Sequence, residues 1–150
     1  MQQHANVEQQ YRTMSIIWAG LLFSQFLFLV MLYFIKPGIY GFDFSKPLLD
    51  ADNSFLILAL AFVGLSTFLM SFVLKSKFLK QAIETQTTAH VQTAMIVACA
   101  LCEAVTLFGF VLAVAFGYQY FFLWFALGIL GFVLHFPRRD NLIAASYKKP

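Results

Sequence analysis

Charge is what this chain has least of. Asp, Glu, Lys and Arg together make up 11% of its 150 residues, against about a quarter in an ordinary soluble domain. Hydrophobic residues reach 61% and mean hydropathy is +0.77, so a water-soluble globule is excluded. Also missing are a Gly-rich phosphate loop, a Ser/His/Asp set and a pair of carboxylates flanking one site. The three histidines, His4, His90 and His135, are too scattered for a haem or zinc centre. With no second catalytic group in view, an enzyme is the least supported class, and no cofactor or metal is expected. The net charge of +3 is no nucleic-acid signal either, because the basic residues cluster just outside the apolar stretches.

Apolar length is what the chain has in abundance. Residues 14–35 and 54–74 each match the roughly 20 residues needed to cross a bilayer, and residues 91–134 are long enough for two crossings. The natural break is Gly117-Tyr-Gln-Tyr120, giving helices over about 91–116 and 119–136, the last ending where Pro137 follows Phe136. The run after Arg12 is too long for a signal-peptide core and lacks a small-x-small cleavage pattern, so it reads as a retained span. The expected fold is an all-α membrane protein: one domain, a four-transmembrane-helix bundle, with an external loop at 36–53 and a cytoplasmic loop at 75–90.

Loop charges orient the spans. Arg12, Lys75, Lys77, Lys80, Arg138, Arg139, Lys148 and Lys149 fall on one side, and only Lys36 and Lys46 on the other. Both termini are therefore expected in the cytoplasm, as in a bacterial inner-membrane protein. Asp43, Asp50 and Asp52 make the external loop slightly acidic, and its Phe and Tyr suggest a segment resting on the membrane or capping the bundle. Trp18, Tyr33, Tyr118 and Tyr120 read as interfacial belts. His135 reads as an interfacial anchor.

Within 14–35, 54–74 and 91–134 the only Asp, Glu, Lys or Arg is Glu103. A charged group at such a depth costs roughly 2.5 kcal/mol or more on insertion scales, which makes it a functional-site hypothesis. Helical periodicity puts Gln92, Ile96, Cys99, Glu103, Thr106, Phe110 and Ala113 near one face, which predicts that Glu103 points into protein. Depth matching offers Ser24, Gln25, Ser66 and Thr67 as neighbours. Together with Thr106, a carboxyl, hydroxyls and an amide make a candidate proton or hard-cation site; the same groups also suit a carboxylic acid that only bonds helices together.

The same helix carries Ala94, Ala98 and Cys102, then Gly109, Ala113 and Gly117, small residues at spacings of four that let helix backbones approach closely. This face marks the centre of the bundle or an oligomer contact. Cys99 and Cys102 form a C-x-x-C in mid-membrane with no second cysteine pair, which fits packing better than redox or metal chemistry.

The stretch Ala100-Leu-Cys-Glu-Ala-Val-Thr-Leu-Phe-Gly-Phe-Val-Leu-Ala113, with Met95-Ile-Val before it, resembles the carboxylate-bearing helix of rotary ATPase proteolipid c subunits. The resemblance implies that Glu103 binds the transported proton or sodium ion. It covers residues 95–113; 54–74 has only Gly64 where that family's companion helix is glycine-repeated, and no Arg-Gln-Pro-type loop is present. Three functions follow as expectations: ion handling at Glu103 within a homo-oligomer, a non-catalytic structural or assembly subunit docked on other membrane subunits, and a small multidrug-type exporter.

Overall fold

The computed structural model describes residues 2–41, 43, 45–49 and 53–146, the side chains of 2–5 excepted. Of the residues used above, His4, Asp50, Asp52, Lys148 and Lys149 have side chains outside that description. The described chain is helical throughout: α1 (Gln2–Ile35), a 3-10 turn (Pro37–Tyr40), α2 (Ser54–Thr85), α3 (Thr88–Phe116), α4 (Phe121–Leu134) and α5 (Arg139–Ser146). Three segments, Asn6–Ile35, Ser54–Thr85 and Thr88–Phe116, are long and apolar enough to cross a membrane. A fourth is added if α4 and α5, bent by 46°, form one span. The protein is an integral membrane protein with three to four candidate spans.

The helices overrun the apolar stretches, which corrects the expected boundaries. α2 continues past 74 to Thr85, and α3 begins at Thr88, so the expected loop at 75–90 shrinks to Gln86 and Thr87. Lys, Gln, Ala and Glu in 75–85 are strong helix formers; their charge ends the affinity for lipid without ending the helix. Gln86, at φ 51°, closes α2 in the left-handed region. α1 likewise starts at Gln2, well before position 14. At 1.5 Å per residue, its 34 residues run roughly 50 Å, longer than a hydrocarbon core of about 30 Å. α4 is shorter than expected because Gly117 ends α3 at φ 65° and residues 118–120 are spent on the turn. The helix α5 follows Pro137 and was not foreseen.

α3 is the hub, packing against α1, α2 and α4. The small residues explain why. Ala94, Ala98, Cys102, Gly109 and Ala113 are all buried, and α4 answers with glycines of its own. A methyl group built on Gly128 would overlap the Thr106 hydroxyl, and one on Gly131 would overlap the Cys102 sulfur. Trp124 of α4 lies against Gly109 of α3 and Gly64 of α2. The small-residue face is thus used inside the chain, except Gly117, which is exposed and acts as a helix stop.

The core divides along the helix axes. Towards the basic end, Met14, Ala82, Val91, Met95, Cys99, Phe132, Leu142 and Ala145 form one cluster. Towards the opposite end, Leu32, Ile39, Ala113, Phe121 and Phe125 form another, and Ile57, Val105, Leu112 and Trp124 form a third where α2, α3 and α4 meet. The first includes α5, held also by an Arg139–Glu8 ion pair at 2.9 Å and by Arg139 stacked 4.7 Å from the Tyr11 ring centre. At the opposite end the loop is pinned onto the α3–α4 turn: Tyr120 Oη donates to the Lys46 carbonyl (2.6 Å) and Tyr118 Oη to that of Leu48 (3.3 Å). Ser45 donates to Asp43 from its hydroxyl and backbone N–H, holding that carboxyl below its ordinary range.

Candidate functional site

α1 meets the bundle through Met14, Trp18, Leu21, Gln25, Phe28 and Leu32, alternating by four and three so that one stripe of the helix faces inward. Met14, Gln25 and Leu32 are buried. Trp18, read from sequence as an interfacial belt, instead donates its indole N–H to the Phe132 carbonyl at 2.8 Å, one of the carbonyls left open where α4 ends.

Ser24 sits beside this stripe and reaches Glu103. Its Oγ lies 2.9 Å from Glu103 Oε1 and 2.6 Å from the Leu21 carbonyl. A hydroxyl has a single hydrogen, so the two contacts define two states. With the Ser24 hydrogen on Leu21, the bond to Glu103 uses the carboxyl's own proton. With Glu103 ionised, the hydroxyl turns and donates to the carboxylate. Rotation of one O–H keeps Glu103 bonded to Ser24 whether or not it carries a proton.

Glu103 is only partly buried. Its neighbours on the helix surface, Ile96, Ala100, Leu107 and Val111, are exposed, with Val111 at 50%, and together they make the open stripe of α3 between the sides that pack on α1 and α2. Glu103 thus sits at the edge of the α1 contact, part-buried and bonded to another helix, with the exposed residues of α3 on its other side. The predicted polar face straddles this boundary, with Cys99, Thr106 and Ala113 buried, Gln92 and Phe110 partly buried and Ile96 exposed.

The other candidates separate in the same way. Gln25 is fully buried, and neither its amide oxygen nor its nitrogen has a hydrogen-bond partner among the described residues. Thr106 is fully buried and donates to the Cys102 carbonyl at 3.4 Å. Ser66 is exposed on the outer side of α2, and Thr67 donates to Val63 of its own helix at 2.8 Å. Depth matching found the right level, but only the rotation of each helix decides which residue faces Glu103. With Ser24 bonded to Glu103, Gln25 one residue further along α1 and Thr106 one turn further along α3, where it meets Gly128, these four residues make a polar layer at one depth of the bundle.

A second polar cluster lies nearer the basic end. His135, read from sequence as an interfacial anchor, is fully buried. Its Nε2 is 2.8 Å from Ser71 Oγ and its Nδ1 3.4 Å from Lys75 Nζ. Ser71 also donates to the Phe68 carbonyl at 2.6 Å, which uses its one hydrogen. His135 therefore carries its proton on Nε2, donates to Ser71, and accepts from Lys75 on Nδ1. The Cys102 thiol points at Ser71 from 3.8 Å. This chain of bonds ties the end of α4 to α2. The sequence signal for this cluster is Ser71 and Lys75 one turn apart on α2, and the position of His135 at a helix end masks it. Both cysteines are free and buried.

Among the described residues, no three His, Cys, Asp or Glu side chains converge as a metal site would require. A cavity of about 370 Å³ opens at the loop end, lined by Lys46, Asn53, Gly117, Tyr118, Gln119 and Tyr120. It stands roughly 20 Å from Glu103 along α3 at 1.5 Å per residue and forms no part of the carboxyl site. Compared with known protein families, curated proteins and solved structures, the chain finds no match.

Proposed function

We propose that this is a small four-span membrane protein, with both termini in the cytoplasm of a bacterial inner membrane, whose Glu103 binds and releases a proton or monovalent cation. The observation that carries this reading is the position of Glu103: partly exposed on the open stripe of α3 and bonded to a serine that suits both of its protonation states. A carboxyl used only as glue gains by full burial, since an unpaired polar group facing hydrocarbon is costly. One that is only partly buried at the edge of a helix contact is reachable by an ion or by another subunit, so a homo-oligomer or a partner membrane protein is the natural setting. The local resemblance of 95–113 to proteolipid helices agrees with this role.

Carbodiimide labelling tests it, because the reagent modifies protonated carboxyls in membranes. Glu103 is expected to be labelled in native membranes and protected at high pH. Absence of labelling under all conditions sinks the ion-binding reading. The same exposed position favours a second reading, in which Glu103 docks a partner helix and moves no ion. A mild-detergent pulldown separates the two: a stoichiometric partner whose release from Glu103→Gln is accompanied by no change in ion flux supports docking, and a lone monodisperse protein removes it.

A further inference from the structure

Among the described residues, Gln25 is the one whose buried side-chain amide lacks a partner at both ends. Its side chain is fully buried. Leaving one buried polar group unbonded costs about 1–3 kcal/mol, and a leucine at this position of the α1 stripe would incur no such cost. The neighbouring groups are already committed: Ser24 to Leu21 and Glu103, Thr106 to the Cys102 carbonyl. The Thr106 oxygen retains lone pairs, and Glu103 Oε2 is not engaged by Ser24.

The kind of ligand follows from the amide. Gln25 presents two N–H donors and one carbonyl acceptor. A metal cation would satisfy the carbonyl and face the N–H groups with like polarity; an anion would do the reverse. Water both donates and accepts, and a buried water typically makes about three hydrogen bonds to polar groups left over by the protein. We infer that the polar layer binds water at Gln25, and that Glu103 exchanges a proton with this water in preference to taking up a sodium ion. This rests on the proposed role of Glu103 and specifies its cargo. In the step itself, the O–H bond of the Glu103 carboxylic acid breaks as one forms on the water oxygen. The Ser24 hydroxyl turns from Leu21 to the carboxylate, so the positive charge passes to the water and the negative charge stays on Glu103.

Three measurements on the full chain in lipid nanodiscs test it. In water-edited solid-state NMR, magnetisation is expected to reach the Gln25 side-chain nitrogen as fast as that of exposed Gln81, despite full burial; build-up as slow as at dry Leu32 overturns the water. Carbodiimide labelling of Glu103 at fixed pH is expected to stay within twofold when sodium replaces potassium, and tenfold protection by sodium overturns the proton. After a switch to D2O, the infrared band of protonated Glu103, assigned by Glu103→Gln, is expected to shift at least tenfold more slowly in Gln25→Met, a variant of similar volume. An unchanged rate in a folded Gln25→Met overturns the exchange role. If Glu103 is never labelled and shows no such band while Gln25 proves hydrated, it is the ion-binding reading that falls, and the exchange role with it.

Discussion

At the scale of single residues, Ser24 and Glu103 make separable predictions. Glu103→Gln keeps an oxygen and gains an N–H, so a bond to Ser24 survives; unfolding in sodium dodecyl sulfate is expected to shift by less than about 1 kcal/mol, while carbodiimide labelling is lost. Ser24→Ala leaves the carboxyl without its bond to α1. It is expected to cost about 0.6 kcal/mol, the average for a hydrogen bond between membrane helices, and a change above 3 kcal/mol in the same assay would contradict the picture of an edge site. Glu103 stood out in the sequence because it is the lone charge in the apolar stretches, though that alone suits an ion site and helix bonding equally. Its degree of burial was not legible, since Cys99 and Thr106 lie on the same broad face and are fully buried where Glu103 is only part-buried. Ser66 failed as a neighbour for a related reason: depth is written in position along the chain, but facing depends on how α2 is turned against α3.

At the scale of elements, the α3–α4 contact depends on hydrogen atoms at two glycines. Gly128→Val drives a side chain into Thr106 and the Cys102 carbonyl, and is expected to destabilise by about 1–3 kcal/mol or more, read as loss of the monodisperse peak on heating in mild detergent. Gly20→Val is the control, because nothing lies within 4 Å of its new methyl position. If both variants behave alike, the close packing of α3 and α4 is wrong. The α3 half of this contact was readable from Ala94, Ala98, Cys102 and Gly109. The α4 half was not, because Gly128 and Gly131 are three apart and sit in a uniformly apolar helix with no periodic contrast. Helix ends were readable where a backbone stop existed, at Ser54 and Gly117, and unreadable in 75–85, where hydropathy reports the solvent and not the helix.

At the scale of the whole molecule, orientation is the property most open to test. The native cysteines are both buried, so they give a quiet background for a membrane-impermeant maleimide. Ser45→Cys is expected to react in intact cells, and Lys80→Cys only after permeabilisation; the reverse pattern overturns the proposed topology. The all-helical membrane architecture was legible from composition and run length alone. The way the basic ends of α1, α2 and α3 gather with α5 was not, because Ala82, Leu142 and Ala145 lie in stretches too polar to be marked as spans.

Connection lengths divide this molecule mechanically. α2 joins α3 through two residues, Gln86 and Thr87, and α3 joins α4 through a tight turn, so short connections bind these three helices to one another. α1 is tethered by all of 36–53 and is clamped to the others by polar contacts at three heights: Glu8 with Arg139, Trp18 with Phe132, and Ser24 with Glu103. Of the three, only the last joins α1 directly to α3, midway along the helix, and its serine can serve the carboxyl in either protonation state.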